Sequence, residues 1–182
     1  MEKLIAFHCA PALAGIKTAN MVSIDNEKFP NLPERLEKLN SQLNKKGIKL
    51  EAICNCKRKT LVMVYRHTLL EKYLNTPEIK KLLAGEGYPV QGTLEDHIEF
   101  LKTRLKNDDF PHEIGAFLGY PIEDIYGFIN HKNEGLLLVG DWKVYANADE
   151  AKKKFERFSA CRCALVNRIT KGHSLAQIFC AA

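Results

Sequence analysis

The chain has 182 residues, of which 46% are hydrophobic, and its 27 basic and 22 acidic side chains give a net charge of +5. This length supports one well-buried core, so we predict a single domain over residues 1–182. The small charge excess disfavours a nucleic-acid-binding protein, and no apolar stretch reaches the roughly 20 residues of a membrane helix. The first residues lack a secretory signal, so we expect a cytoplasmic protein with reduced cysteines.

The first apolar run, Leu4 to Phe7, predicts a short buried strand. Pro11 suits the first turn of a helix, so the pattern places His8 and Cys9 where that strand meets a helix N-terminus. Unpaired amide groups and the helix dipole favour a thiolate there, and Lys17 adds a cation nearby. Two interpretations remain open. Cys9 is either a reactive thiol or a small buried hydrophobic residue with His8 as its polar neighbour.

The next part of the chain predicts a helix followed by a β-hairpin. Asn31 has the position of a side-chain cap for a helix that ends at Gly47. Two strand-like runs follow, Ile48 to Cys54 and Thr60 to Arg66, joined by a polar, basic turn. Because hairpin pairing is antiparallel, we predict an α+β fold with an antiparallel sheet of about four to five strands covered by helices.

Two short helices and a capping box follow the hairpin. The helices run from His67 to Leu74 and from Thr76 to about Gly85. Thr93 and Asp96 resemble a capping box that opens a further helix. His97 on that helix is expected to lie on the surface.

Residues 110–130 predict two short helices that meet at a tight corner. Pro111 suits the start of the first helix, Gly119 a left-handed stop, and Pro121 the first turn of the second helix. The arrangement has the spacing of a helix-turn-helix. The second helix offers Glu123 and Asp124 instead of the basic or amide side chains that read DNA, so DNA binding is the least favoured function.

The last third of the chain predicts a second hairpin and a long helix. The hairpin comprises Gly135 to Val139 and Trp142 to Ala146, and the helix extends from about Ala148 to Lys171. Basic side chains cover the outer faces of that helix, which is the basis for an alternative function as a protein-interaction module. The tail from Ser174 to Cys180 is apolar enough to pack back on the core.

The cysteines include two Cys-x-Cys pairs, which invite a metal interpretation. Cys54 and Cys56 would share a face of a strand, whereas Cys161 and Cys163 lie about 200° apart on a helix and point away from each other. A closed zinc site of four thiolates is therefore disfavoured, and the spacing also differs from that of zinc knuckles.

Several residues whose side chains could take part in catalysis or binding lie near the ends of predicted elements, where sites are commonly assembled. The candidate catalytic residues are Cys9, His8, His112 and Glu113. The candidate ligand-binding residues are Lys17, Tyr65, Arg66 and Tyr120. Their convergence into one site is a hypothesis, and the alternative is that each has an independent structural role.

Three segments carry a resemblance to a known family. They are HCAPxLAGxK at residues 8–17, FPHEIGxFLGYPxxDxxGF at residues 110–128, and WKVY at residues 142–145. With these motifs the chain resembles a family of uncharacterised proteins from anaerobic bacteria, catalogued as a domain of unknown function. The resemblance implies no activity or cofactor. The leading hypothesis is therefore a small-molecule or cofactor pocket around Cys9 and His112, with thiol chemistry as one option.

Overall fold

The fold is built on a three-stranded antiparallel sheet with helices on both faces. The computed structural model describes residues 1–55, 58–107 and 110–180. The elements in chain order are α1 (Glu2–Leu13), β1 (Ala19–Asp25), α2 (Leu32–Leu43), β2 (Ile48–Asn55), β3 (Lys59–Arg66), α3 (His67–Leu74), α4 (Pro77–Gly85), α5 (Leu94–Arg104), α6 (Ile114–Phe117), α7 (Ile122–His131), β4 (Leu138–Val139), β5 (Lys143–Val144), α8 (Ala148–Thr170) and α9 (Leu175–Cys180).

The strand order is β1-β3-β2, so β3 is central and β1 lies at one edge. Because side chains alternate across a strand, Val62 and Val64 of β3 face one layer while Met63 and Tyr65 face the other. The strands β4 and β5 form a separate two-stranded sheet. The predicted α+β class and antiparallel pairing are confirmed, with the strands of the described segments divided between two sheets.

Two apolar clusters lie on opposite faces of the three-stranded sheet. One joins the sheet to α1, α2, α8 and α9, and the other joins it to the helices from α3 to α7. A third, smaller cluster forms around Trp142, where the β4–β5 hairpin meets α8 through Phe155 and Phe158. The corner between α6 and α7 is therefore held between the sheet and this hairpin.

The predicted strand at Leu4 to Phe7 is wrong, because these residues belong to α1. Ile5, Cys9 and Leu13 recur at the four-residue spacing of a helix and are fully buried. Pro11 lies in the last turns of α1 instead of opening it. The strand at the start of the chain is β1, which the sequence analysis did not identify.

Two local predictions about side chains also differ from the structure. Asn31 precedes α2 in a left-handed conformation with φ of 57° and makes no capping hydrogen bond through its side chain. His97 was expected on the surface, yet it is 5% exposed and one ring nitrogen lies 3.0 Å from the carbonyl oxygen of Pro89. That contact gives the buried ring nitrogen a hydrogen-bond partner between α5 and the preceding loop.

Other local predictions are confirmed. The structure contains the Thr93–Asp96 capping box, both hairpins, and α3 with the predicted ends. Gly119 ends the first helix of the corner with φ of 68°, and a Cβ atom there would overlap the Thr18 hydroxyl. None of the helices in the described ranges is both long and apolar enough to span a membrane.

Candidate functional site

A cavity of about 370 Å³ opens beside β1, at the edge of the three-stranded sheet. It lies where α1, β1, the α6–α7 corner, the β4–β5 turn and α8 approach one another. We name it the cationic cavity. Its polar and charged lining residues are His8, Lys17, Asn20, Tyr120, Asp141 and Arg162.

The loop after α1 brings Lys17 to the cavity. The carbonyl of Pro11 accepts hydrogen bonds from the amides of Ile16 and Lys17, at 2.9 and 3.2 Å, which closes the loop back on the helix. Asn20 on β1 then accepts a hydrogen bond from the Ala12 amide at 3.0 Å. These contacts fix α1, its loop and β1 relative to one another, so the position of Lys17 is determined by the backbone around it.

Lys17 is a buried cation without an anionic partner. Lys17 is only 8% exposed, and no carboxylate of the described residues pairs with its side chain. Its Nζ atom lies 5.0 Å from the centre of the Tyr120 ring and 5.9 Å from that of Phe158, so aromatic faces supply its nearest electrostatic support. Burial, together with the positive charge of Arg162, lowers the pKa of Lys17 to about 8.

Arg162 on α8 supplies the second cation of the cavity. Its guanidinium forms a close ion pair with Asp141 in the turn between β4 and β5, and both side chains are largely buried. Tyr120 donates a hydrogen bond to the Asp141 carbonyl oxygen at 3.3 Å, which ties the turn to the α6–α7 corner. The lining therefore contains two cations, Lys17 and Arg162, and one carboxylate, which pairs with Arg162, so it carries excess positive charge.

The structure contradicts the argument for a reactive thiol at Cys9. Cys9 lies in the middle of α1, far from its N-terminus, and is fully buried in the apolar cluster that includes Ile5 and Leu165. Burial raises the pKa of its thiol to about 12, and the positive charge of Lys17 lowers it only in part. The thiol does not line the cationic cavity. The helix-dipole activation expected from the sequence is therefore wrong.

All residues that line the cationic cavity fall within a stretch shared with a protein family. The sequence profile of the family described as "Protein of unknown function (DUF3793)" matches residues 5–179. The chain belongs to the DUF3793 family. No curated protein and no solved structure gives a significant match. The shared stretch includes the whole β-sheet core and most of α1, so in this DUF3793 chain the cavity is part of the family domain.

The cavity of the DUF3793 chain contains three of the predicted site residues, Lys17, His8 and Tyr120. His8 is exposed at the rim, where its ring makes an edge contact with Phe7 at 5.0 Å. Burial raises the pKa of the Tyr120 hydroxyl to about 12, so this group acts as a hydrogen-bond donor at neutral pH. His112 lines a separate, neighbouring cavity.

The other predicted site residues of this DUF3793 chain make structural contacts. Glu113 is 1% exposed and accepts hydrogen bonds from Arg104 and from the Tyr88 hydroxyl. Tyr65 donates a hydrogen bond to Glu51 at 2.8 Å. Arg66 donates to the Leu13 carbonyl oxygen at 2.7 and 3.2 Å, and so caps the C-terminus of α1.

Among the residues of the cavity that sequence reasoning missed are two charged ones, Asp141 and Arg162. Arg162 had been assigned to the exposed basic face of the last helix. It lies four residues after buried Phe158 and three before buried Leu165, so its place next to the apolar stripe was a readable signal. Asp141 lies between the two predicted strands of the second hairpin, and its contact with Arg162 depends on long-range packing.

The described part of the DUF3793 chain contains no group of three or more side chains arranged to hold a metal ion. Cys161 is half-buried and Cys163 is exposed, both on α8, and each is a free thiol. Cys56, the partner of Cys54 in the predicted pair, lies outside the described residues.

Proposed function

We propose that the protein binds a small anionic molecule, bearing a carboxylate or phosphate group, in the cationic cavity. The single observation that carries this proposal is the buried ammonium of Lys17, which lacks an anionic partner among the described residues. A volume of about 370 Å³ is in the range of small-molecule sites.

The energetics of Lys17 support an anionic ligand. Burying a cation without a counter-ion destabilises the folded state, and the lowered pKa of Lys17 is a measure of that penalty. A ligand carboxylate or phosphate would supply the missing negative charge, so binding would raise the pKa of Lys17 and stabilise the fold. Because an apolar side chain of similar length would stabilise the fold more than the buried ammonium does, stability alone does not account for a lysine at this position.

The neighbours of Lys17 suit the recognition of a planar or tetrahedral anion. Arg162 presents a guanidinium with donors beyond the one that contacts Asp141, and such forks bind carboxylate and phosphate oxygens in pairs. His8 at the rim adds a ring N–H as a further donor. Asp141 keeps Arg162 in place and favours ligands whose charge is concentrated on the side facing Lys17.

The other predictions about function have different degrees of support. Cys9, Cys161, Cys163 and Cys180 are free thiols, which agrees with a cytoplasmic, reducing setting. The basic face of α8 gives weaker support to a protein-interaction role, because Lys152 and Lys153 pair with acidic residues of their own helix. DNA binding stays disfavoured, since Asp124 and Glu123 open the second helix of the corner.

Isothermal titration calorimetry with a panel of anions tests the proposal. The panel comprises inorganic phosphate, pyrophosphate, succinate and malate at pH 7, with sodium chloride at matched ionic strength as the reference. We expect at least one anion to bind with one-to-one stoichiometry. Lys17→Met should weaken that binding about tenfold or more, whereas Lys152→Met, which removes one exposed charge, should leave it unchanged. Equal losses in both variants, or no binding above chloride, would overturn the proposal.

A further inference from the structure

A second cavity lies between α6, α7 and the β4–β5 hairpin, and its chemistry differs from that of the cationic cavity. Its volume is about 440 Å³. Aromatic rings dominate its lining and are contributed by Phe110, His112, Tyr120, Phe128 and Trp142. We name it the aromatic cavity.

The aromatic cavity is recessed and is not a flat surface patch. Its inner lining includes Ile125 and Trp142, which are 3% and 7% exposed, while Phe110 at the rim is 55% exposed. Gly115 also lines it, and a Cβ atom there would lie only 3.2 Å from the Tyr120 ring, so the absent side chain lets that ring pack against the backbone of α6. A recessed, aromatic-lined space of this volume suits a small molecule better than a helix or a strand.

The polar groups of the aromatic cavity indicate which substituent a ligand would carry. Asp124 already accepts hydrogen bonds from the Trp142 indole and from the amides of Tyr145 and Ala146, at 2.7, 2.7 and 3.1 Å. Its two oxygens are therefore occupied, and the carboxylate offers little to a ligand.

The basic groups at the rim can donate further hydrogen bonds. The Lys143 ammonium lies 5.0 Å from the centre of the Phe128 ring and donates one hydrogen bond, to Asn133 at 2.9 Å. His112 makes an edge contact with the same Phe128 ring at 5.1 Å, and its nitrogens make no hydrogen bond to the described residues. Both groups are donors at the mouth of an aromatic recess.

We propose that the aromatic cavity binds a flat aromatic molecule that carries an acidic group. The rings of Phe128, Tyr120 and Trp142 stack on or edge against the aromatic part, and Lys143 with His112 contacts the acidic group. This site is distinct from the one in "Proposed function". Tyr120 lines both cavities and stacks on Trp142 at 5.2 Å, so this pair forms the wall between them.

Two fluorescent probes of matched shape test the inference. The anionic probe is 8-anilinonaphthalene-1-sulfonate, and the neutral probe is N-phenyl-1-naphthylamine, which lacks the sulfonate. Trp142 is the sole tryptophan of the sequence and lines the cavity, so its quenching and its energy transfer to the probe report occupancy. We expect one-to-one binding of both probes, tighter for the anionic one, with quenching of Trp142.

Two variants test separately the contacts to the aromatic part and to the acidic group of the ligand. Phe128→Ala should weaken both probes about tenfold, and Lys143→Met should weaken only the anionic probe by about fivefold. Lys152→Met should change neither. Far-UV circular dichroism checks that each variant is folded. Unchanged binding of both probes to folded Phe128→Ala would overturn the inference. An equal loss of affinity for the anionic and the neutral probe in Lys143→Met would also overturn it.

A further control separates this inference from the proposed function. Lys17→Met should leave both probes bound and inorganic phosphate should not displace them, whatever the outcome of the anion titrations. Loss of the anionic probe in Lys17→Met, or its displacement by phosphate, would show that the probe occupies the cationic cavity and would overturn the inference.

Discussion

The Lys17 ammonium lies 5.0 Å from the centre of the Tyr120 ring, and the described residues provide it with no carboxylate partner. Tyr120 in turn stacks on Trp142, which separates the cationic cavity from the aromatic cavity. The rings support the cation only partly, because a cation over an aromatic face gains about 0.5 to 2 kcal/mol, which is less than burial of a charge costs.

Lys17→Met should stabilise the protein at neutral pH. The pKa of Lys17 is lowered from its ordinary 10.5 to about 8 in the folded state, so the unfolded chain binds the proton more tightly. The penalty is complete below pH 8 and fades as the pH rises towards 10.5. We expect the free energy of unfolding of the variant to exceed that of the wild type by about 3 kcal/mol at pH 7, with the difference shrinking above pH 8. Urea unfolding from pH 6 to 10 measures it, and a pH-independent difference would contradict this prediction.

Glu113→Gln should destabilise the protein by about 2 to 4 kcal/mol, because it breaks a buried pair with Arg104 and leaves the Tyr88 hydroxyl with a weaker acceptor. Glu86→Gln is the matched control. The Glu86 carboxylate also contacts Arg104, at 2.9 Å, but it is far more exposed, so the expected cost is about 1 kcal/mol or less. Urea unfolding compares the variants. Equal small effects would argue that Glu113 is not a structural residue and would return it to the list of candidate catalytic groups.

Asp124→Asn should loosen the β4–β5 hairpin from α7. The asparagine amide would face the Trp142 indole N–H, so two donors would meet where a donor and an acceptor now pair. We expect a cost of about 2 kcal/mol and a red-shifted Trp142 emission as the indole gains solvent. Glu123→Gln, at the exposed neighbouring position, should change neither property. An unchanged emission spectrum in Asp124→Asn would show that the hairpin is anchored by other contacts.

Cys9 should resist thiol reagents in the folded protein. It is fully buried and its thiol has a pKa of about 12, whereas Cys163 on α8 is exposed. Iodoacetamide labelling followed by peptide mass spectrometry should modify Cys163 first and Cys9 only after unfolding in urea. Labelling of native Cys9 at the rate of Cys163 would restore the reactive-thiol interpretation.

The sequence predicted those elements whose signals are local. Leu70 and Leu74 share one helical face, and Thr93 with Asp96 forms a reciprocal cap, so α3 and the start of α5 were found with the correct ends. The run from Leu4 to Phe7 is too short to show whether its period is that of a strand or a helix. In the structure this run belongs to α1, and the packing of α1 against α8 favours the helix. β1 was missed although Val22 and Ile24 alternate with exposed Ser23.

The candidate site was predicted only in part, for a similar reason. Lys17 and Tyr120 were identified as candidate ligand-binding residues, but no short-range signal showed that they share a cavity with Arg162. That convergence depends on the docking of α8 and of the β4–β5 turn, which are more than a hundred residues from Lys17 in sequence. The error at Cys9 had one source, since a helix that begins at Glu2 removes the N-terminus that was expected to activate the thiol.

The most direct test of the cationic cavity is an NMR titration of Lys17. Lysine side chains labelled with ¹³C at Cε are followed from pH 6 to 11, with Lys17→Met used to assign the signal. We predict one lysine with a pKa of about 8 that is absent from the variant, and a rise of that pKa when the anion found by calorimetry is added. A Lys17 signal that titrates near 10.5, or one that is unmoved by the anion, would contradict the account.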